Sequence, residues 1–403
     1  MHSPPLRESV LAGVTYWSGD LGPYVWHEFD PERVKRDLRA MSHAGLRVVR
    51  TLLPWDVFMP TPHRVEDTRL RDLEVFLESA SEEALSVIPV LYAQAIGDCV
   101  MLPAYAIDVS VKRPGVRVVT EGVVQPGGPR DQYTDRRMLE AQVAWLDAML
   151  GAFEGHSAVM AWDLGHDPAS VMRPRRIDDM VRWASTVAER FHERGQRCML
   201  TLGSRDITTA RGVRPAPLAA AVDAIGIDMD PRGLGLSTGA LDERPLVFLA
   251  RLAMRLAGAE SPFYAHVGVS RLDAAGEIED GDQEDGAAAS RFADRAAGAL
   301  AEIGCAARFA AVWSDCGPRT AAVAPFDRHP ELRYRGLVDA VGRSSAFGGA
   351  WLAHVTNERD RETPAPWPGD IDVSEYYANL PQTMLDLYAA WQRGTSDGPG
   401  MLG

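Results

Sequence analysis

Cysteines, cationic residues and long apolar runs are all scarce in this sequence. Only four of the 403 residues are cysteines, and none has the CxxC spacing or the neighbouring histidines that usually mark a zinc site. Acidic residues outnumber Lys and Arg by 56 to 42, which gives a formal net charge of -14. Such an excess of negative charge argues against nucleic acid or an anionic membrane surface as a partner. We therefore expect no bound metal, no nucleic acid and no membrane association.

The first residues also lack a secretory signal. Residues 1–10 contain neither a basic segment nor an apolar core, and no run of about 18 apolar residues occurs in the chain. These absences predict a cytoplasmic protein with reduced cysteines. What the sequence has in quantity is apolar side chains, since 46% of its residues are hydrophobic and 24% are charged. A large core can therefore be buried.

Short apolar runs alternate with helical patterns along the chain, which predicts a parallel sheet with helices between its strands. The runs are apolar on both faces, as is typical of barrel strands. We predict a single (β/α)₈ barrel that occupies residues 1–403. Its predicted strands are 10–16, 46–53, 86–92, 158–164, 197–202, 224–229, 263–268 and 308–313.

Helical apolar spacing occurs between these strands. Two long insertions, at about 93–134 and 314–373, follow strands three and eight, and the first is expected to hold a small hairpin. Both follow the carboxyl ends of strands, which is the face where barrel active sites are built. The predicted helices are 31–44, 69–84, 135–153, 177–194, 245–257, 287–303 and a closing helix at about 376–392, and the one between strands five and six is the least defined.

Several segments resemble one enzyme family in the right order. The segment AWDLGHDP at 161–168 resembles the pattern AWDLGNEP of the cellulase/β-mannanase-like glycoside hydrolases of clan A. GVTYW at 13–17 resembles their first strand, and VVRTLLPW at 48–55 resembles their second. The resemblance implies a barrel that acts on or binds an oligosaccharide, and we expect no cofactor.

In that family, one glutamate after strand four is the general acid/base, and a second glutamate on strand seven is the nucleophile. The resemblance places Asp167 at the first position and His266 at the second. Aspartate keeps the carboxyl group but shortens the arm by roughly 1.5 Å, and a misplacement of about 1 Å can cost on the order of 10²-fold in rate. An imidazole cannot replace a carboxylate that forms a glycosyl ester. Both catalytic glutamates are therefore expected to be replaced.

Other site residues follow from the same resemblance. His166 stands where the family has an asparagine, and Asp228-Met229-Asp230 stands where it has a His-x-Tyr pair. Aromatic rings at strand ends stack on the apolar faces of sugars. For His166 and His266, ordinary hydrogen bonding is favoured over a role as metal ligands. The expected substrate-binding residues are Arg50, His166, Trp17, Trp55, Tyr92, Asp228, Trp313 and Asp315.

Three functions stay open. The favoured one is a catalytically degenerate barrel that binds a glycan or a protein partner whose identity the sequence does not give. The alternative is an active hydrolase with Asp167 as general acid and Asp228, Asp230 or Asp315 as a rearranged base, for which a carboxyl separation of about 6.5–9.5 Å would imply inversion. The third is different chemistry or a structural role in an assembly.

Overall fold

The computed structural model describes residues 10–92, 94–230, 241–258, 262–272, 284–355 and 370–396, together with Leu236. Within these ranges, eight parallel strands pair in sequence order and close into a barrel. The predicted fold class is therefore confirmed. The barrel strands are Leu11–Thr15, Val48–Leu52, Ser86–Val90, Trp162–His166, Cys198–Gly203, Ala224–Met229, Phe263–Val267 and Ala307–Ala310.

The fourth strand differs most from its prediction, since it lies at Trp162–His166 instead of 158–164. Its pairing with the fifth strand is irregular between Asp163 and His166. Both side chains contact Arg50, so they face the same side although three positions separate them. A regular strand would put them on opposite faces. The bulge thus brings two polar side chains of the AWDLGHDP segment to the barrel interior.

The helices begin and end close to their predicted bounds. The first shows why, because the side chain of Asp30 accepts hydrogen bonds from the backbone N–H groups of Glu32 and Arg33, and Pro31 suits the first helical position. The longer helices are Pro31–His43, Asp67–Glu82, Arg136–Phe153, Ile177–Glu193, Glu243–Ala257 and Glu284–Glu302, and the region between strands five and six holds two short ones, Arg205–Thr208 and Pro215–Ala219.

The single closing helix predicted at 376–392 is wrong. The structure has two helices there, Val373–Ala378 and Gln382–Ser396. Pro381 lies between them, and proline lacks a backbone N–H and clashes with the preceding turn of a helix. The apolar spacing continues across this break, which is why the pattern alone suggested one helix.

Both insertions have structure of their own. The insertion after strand three holds the predicted hairpin, formed by the antiparallel strands Arg117–Thr120 and Val123–Gln125. In the insertion after strand eight, Val312–Ser314 pairs with Gly336–Val338, and Ala346–Ala353 is helical. Residues 356–369 of that insertion, and residue 93 of the first, lie outside the described ranges. The other insertion strands are Ala95–Ile96, Cys99–Met101, Ile107–Asp108 and Gly128–Pro129.

Apolar side chains fill the amino-terminal half of the barrel interior. Val48, Ile88, Met199, Tyr264 and Phe309 belong to one buried cluster there. The larger core lies between the strands and the surrounding helices. Because the lower interior is filled, the polar side chains at the carboxyl ends of the strands are left to form the site.

Candidate active site at the barrel mouth

A cavity of about 60 Å³ opens at the carboxyl ends of the barrel strands. Its size corresponds to a few water molecules, since one needs roughly 10–15 Å³ by the same measure. Strands one, two, four, six and seven contribute to it, and so do both insertions. Its polar lining residues are Thr15, Arg50, His166, Asp228, His266 and Arg335, and its other lining residues are Trp17, Leu52, Ala95, Ile96, Gly97, Ala311, Val312 and Leu332.

Arg50 and Asp163 form a fully buried ion pair beneath the cavity. Nε and Nη2 of Arg50 donate to Oδ2 of Asp163 over 3.0 and 2.7 Å. The hydroxyl of Thr201 donates to the same oxygen over 2.6 Å, and the backbone N–H of Gly165 donates to Oδ1 over 3.1 Å. A buried charge is tolerated when it is paired and hydrogen-bonded in this way. Arg50, a predicted site residue, lines the cavity. Its two hydrogen bonds to Asp163 fix the position of its guanidinium group.

His166 is a neutral imidazole whose tautomer follows from its contact with Arg50. Nη1 of Arg50 lies 3.2 Å from Nδ1 of His166. A guanidinium group only donates, so Nδ1 accepts and the ring proton is on Nε2. Burial and the charge of Arg50 lower the pKa of His166 to about 3. Its Nε2 lies 3.6 Å from Oδ2 of Asp228, so the N–H is directed toward the acidic side of the cavity.

His266 occupies the inward face of strand seven and is 2% exposed. Its ring stacks on Phe309 with centroids 4.7 Å apart. Burial lowers the pKa of His266 well below its usual value, and the nearby charge of Arg50 adds to this. Its Nε2 is buried and has no hydrogen-bond partner among the described residues. A neutral imidazole with a free nitrogen thus stands at the predicted nucleophile position.

Asp228 lies beside His266, its register partner on the neighbouring strand, and Asp167 lies close to Asp228. Asp228 lines the cavity, and burial raises its pKa although Arg335 and Arg50 oppose the rise. Asp167 follows strand four with a left-handed backbone, at φ 47°. It is not one of the cavity-lining residues. Its carboxyl group packs against Gly203, where a Cβ would lie 2.5 Å from it. Burial and the charges of Asp206 and Asp228 raise the pKa of Asp167 well above its usual value.

Asp206 is a site residue that the sequence analysis missed. It lies in the short helix after strand five, and its carboxylate accepts hydrogen bonds from the backbone N–H groups of Gly203 and Val213, each over 3.3 Å. Burial raises the pKa of Asp206 to about 6. Asp167 and Asp206 form a buried carboxyl pair in which one charge disfavours the other. The signal in the sequence was an aspartate just past a strand end, in the segment TLGSRD.

Arg335 is the second missed residue, and it comes from the insertion after strand eight. A Cβ on Gly268 would overlap its guanidinium group, so glycine at the end of strand seven lets the arginine lie against the backbone. Nη2 of Arg335 is 3.8 Å from Oδ2 of Asp230.

The predicted aromatic residues separate into two groups. Trp17 lines the cavity and packs edge-on against Phe326. Trp55 and Tyr92 pack against each other with centroids 6.0 Å apart, and both belong to the main core together with Trp313. In the short strand that follows strand eight, Val312 lines the cavity and Trp313 does not.

Asp315 supports the insertion after strand eight. It forms a buried ion pair with Arg271, and its Oδ1 accepts the backbone N–H of Gly336 over 2.8 Å. Both partners hold the chain that carries Arg335 into the site. Asp315, predicted to bind substrate, is not among the residues that line the cavity.

The two insertions meet over the mouth and narrow it. Arg117, from the first insertion, donates to Asp98 over 2.7 Å and to Asp327 of the second insertion over 2.7 Å. Gly97 packs against Leu332, and both line the cavity. The small volume of the cavity follows from this contact.

No protein-family model matches the sequence, and no curated protein matches it. Solved structures do resemble the chain. A GH5_18 protein from Streptomyces cattleya, solved in complex with GlcNAc, has a TM-score of 0.78 and 17% identity over 97% of this chain and 92% of that one. A GH5_18 protein from Bifidobacterium longum subsp. infantis has a TM-score of 0.75 and 15% identity over 97% of this chain and 90% of that one.

An exo-beta-1,4-mannosidase from Opitutaceae bacterium strain TAV5 is also similar, with a TM-score of 0.72 and 17% identity over 87% of this chain. The chain spans 60% of that protein's length. The chain has the fold of a glycoside hydrolase barrel. At these identities the likeness establishes the fold and not the reaction. Within the described ranges, no helix combines the length and apolar content that a membrane span needs.

Proposed function

We propose that this chain is a glycoside-hydrolase-like barrel that has lost the retaining reaction and keeps its cavity for binding a carbohydrate. The observation that carries the proposal is the composition of the cavity wall. Asp228 is the one acidic side chain among the described residues that line it, and strand seven contributes His266. Glycoside hydrolysis by either common mechanism needs two carboxyl groups on opposite sides of the scissile bond.

The electrostatics of the two histidines support this proposal. Both imidazoles are neutral, because burial and Arg50 hold the pKa values of His166 and His266 far below neutrality. A neutral imidazole neither stabilises an oxocarbenium charge nor forms the glycosyl ester of a retaining enzyme. The same rings can still exchange hydrogen bonds with sugar hydroxyl groups.

The wall of the cavity suits a polyhydroxylated ligand. It combines guanidinium and imidazole donors, the carboxyl of Asp228 as acceptor and the ring of Trp17 as an apolar surface. Sites for small ligands are built from an apolar surface with a few placed polar groups. A GH5_18 protein of the same fold was solved in complex with GlcNAc, and this supports a sugar as the ligand class.

A second candidate is an active hydrolase in which Asp167 is the general acid and Asp228 its partner. The raised pKa of Asp167 favours it, because a carboxyl group whose pKa is raised keeps its proton to higher pH, as a general acid requires. Asp228 lies close enough to contribute to that rise. Against this candidate, the carboxyl of Asp167 packs on Gly203, beside the cavity.

We expect β-1,4-linked manno- and gluco-oligosaccharides to bind with a Kd of about 1 mM or weaker. The cavity of about 60 Å³ admits only part of a sugar ring, so few polar anchors can act at once. Isothermal calorimetry measures this. Asp228→Asn should weaken binding further, whereas the matched control Asp147→Asn, at a surface pair with Arg190, should not. Nanomolar affinity would contradict the expected weak binding, and no binding of any of these oligosaccharides would contradict the proposal.

We expect negligible hydrolysis of aryl β-glycosides by the native chain. These substrates have good leaving groups and need little acid assistance, so the test depends on the nucleophile. The double variant Asp167→Glu/His266→Glu should gain detectable turnover, because Arg50 would keep the new strand-seven carboxylate ionised. Each single variant should gain little, since the two groups act as a unit.

Release of the aryl group, followed by absorbance, is the readout for all four proteins. Suppose that the native chain turns over the substrate, that His266→Ala leaves the rate unchanged and that Asp167→Asn abolishes it. This result would reject the hypothesis that the chain has lost hydrolytic activity. The candidate with Asp167 as general acid would then replace it.

A further inference from the structure

Three side chains with metal-binding chemistry meet at the amino-terminal end of the barrel, opposite the cavity. His192 lies in the last turn of the helix Ile177–Glu193, Cys198 begins the fifth strand, and Asp223 directly precedes the sixth strand. One donor atom from each side chain lies within 4.8 Å of the other two. Helix carboxyl ends and strand beginnings share one face of a (β/α)₈ barrel, and this brings the three residues together.

We propose that His192, Cys198 and Asp223 bind a Zn²⁺ ion. Thiolate, imidazole and carboxylate are the three ligand types that zinc takes from proteins, and a site with three such ligands takes water as its fourth. This site is separate from the proposed carbohydrate cavity, so the two proposals do not depend on each other.

The geometry needs only small adjustments. Zinc bonds of about 2.0–2.3 Å place tetrahedral ligand atoms roughly 3.3–3.8 Å apart. The widest separation in the cluster, 4.8 Å, therefore has to close by about 1 Å. The hydrogen bond of 2.9 Å between Nε2 of His192 and Oδ2 of Asp223 has to open slightly. His192 is half exposed, so its ring has room to turn.

Part of the site is already ordered by the backbone. Oδ2 of Asp223 accepts the backbone N–H of Cys198 over 2.8 Å, which fixes the carboxylate beside the thiol. Such an outer hydrogen bond orients a metal ligand. Cys198 is fully buried, while His192 and Asp223 face solvent, so an ion would enter from the solvent side. On binding, the sulfur–zinc bond replaces the S–H bond, and the proton passes to solvent.

The cysteine spacing in the sequence predicted no zinc site, whereas the proposed ligands come together only in the tertiary structure. His192 and Asp223 are 31 positions apart, so no compact motif marks them. The ion would link the end of one helix to the starts of two strands. At this face of a barrel such a link serves stability and not catalysis.

Cobalt(II) substitution tests the site on the full chain. Protein freed of metal with a chelator is titrated with Co²⁺, which reports its ligands in the absorption spectrum. We expect one equivalent to give a thiolate-to-cobalt charge-transfer band and the visible bands of tetrahedral cobalt. Zn²⁺ should then abolish both and raise the Tm.

Two variants separate this site from adventitious binding. Cys198→Ser should remove the charge-transfer band. Its control is Cys305→Ser, another buried cysteine near the start of strand eight, which should keep the band. His192→Gln changes a half-exposed side chain and should weaken Co²⁺ binding at least tenfold, so the test remains available if Cys198→Ser does not fold. Weak octahedral bands alone, or a charge-transfer band that survives Cys198→Ser, would overturn the proposal.

Discussion

Replacing Arg50 with methionine should lower the free energy of unfolding by about 3–5 kcal/mol. The change leaves the carboxylate of Asp163 fully buried without its cation. The hydroxyl and backbone N–H of Thr201 and the backbone N–H of Gly165 would still donate to it, but three neutral donors do not compensate a buried charge. Urea unfolding followed by circular dichroism measures the loss.

The matched control is Arg136→Met, which breaks an ion pair between Arg136 and Glu140 on the surface. Exposed pairs contribute roughly 0–1 kcal/mol, so this variant should stay close to the native protein. The cost of Asp163→Asn should also shrink in the Arg50→Met background, because the two residues are coupled. Equal losses for Arg50→Met and Arg136→Met would contradict the assignment of Arg50 to a buried pair.

Asp167→Asn should make the protein more stable at pH 8 and nearly unchanged at pH 4. In the native chain, burial raises the pKa of Asp206 to about 6, and burial together with the charges of Asp206 and Asp228 raises the pKa of Asp167 well above its usual value. A carboxyl whose folded pKa is raised contributes stability at low pH, and this contribution is lost as the pH rises through the folded value. For Asp206 alone the loss is roughly 3 kcal/mol by pH 8.

The asparagine removes one of the two interacting charges and places an amide donor beside Asp206. Asp206 can then ionise at lower cost, and we expect the variant to exceed the native free energy of unfolding by roughly 1–3 kcal/mol at pH 8. The measurement is the difference between variant and native protein from pH 4 to pH 8, in which groups common to both cancel. Asp147→Asn, at a surface ion pair, should give a difference that does not vary with pH. A flat difference for Asp167→Asn would contradict the raised pKa of Asp167.

The strands and the convergence of four site residues could be predicted from the sequence. Arg50, Asp228 and His266 lie in the carboxyl-terminal halves of predicted strands and His166 lies just beyond the predicted fourth strand, and a closed barrel brings those ends to one mouth. The family resemblance identified these residues, and the regular strands place Arg50, Asp228 and His266 inward, whereas His166 reaches the interior through the bulge in strand four. All four residues line the cavity.

The residues that the sequence did not reveal come from segments without a regular period. Arg335 enters from an insertion, and its position depends on packing against Gly268. Trp313 was expected in the site but does not line the cavity. Strand eight ends at Ala310, and the next strand begins at Val312, so the inward–outward alternation restarts and Val312 takes the inward place. Alternation predicts a side chain's direction only while the strand is unbroken.

The contact of Arg117 with Asp98 and Asp327 constrains how this protein can diverge. One guanidinium group binds a carboxylate from each insertion, and Asp327 lies 210 positions from Arg117 in the chain. A deletion that removes Arg117 would leave Asp327 without this cation, and a deletion that removes Asp327 would leave Arg117 with Asp98 alone. Descendants of this sequence should therefore lengthen, shorten or exchange the two segments together, and a graft of one segment onto a related barrel would have to carry the other with it.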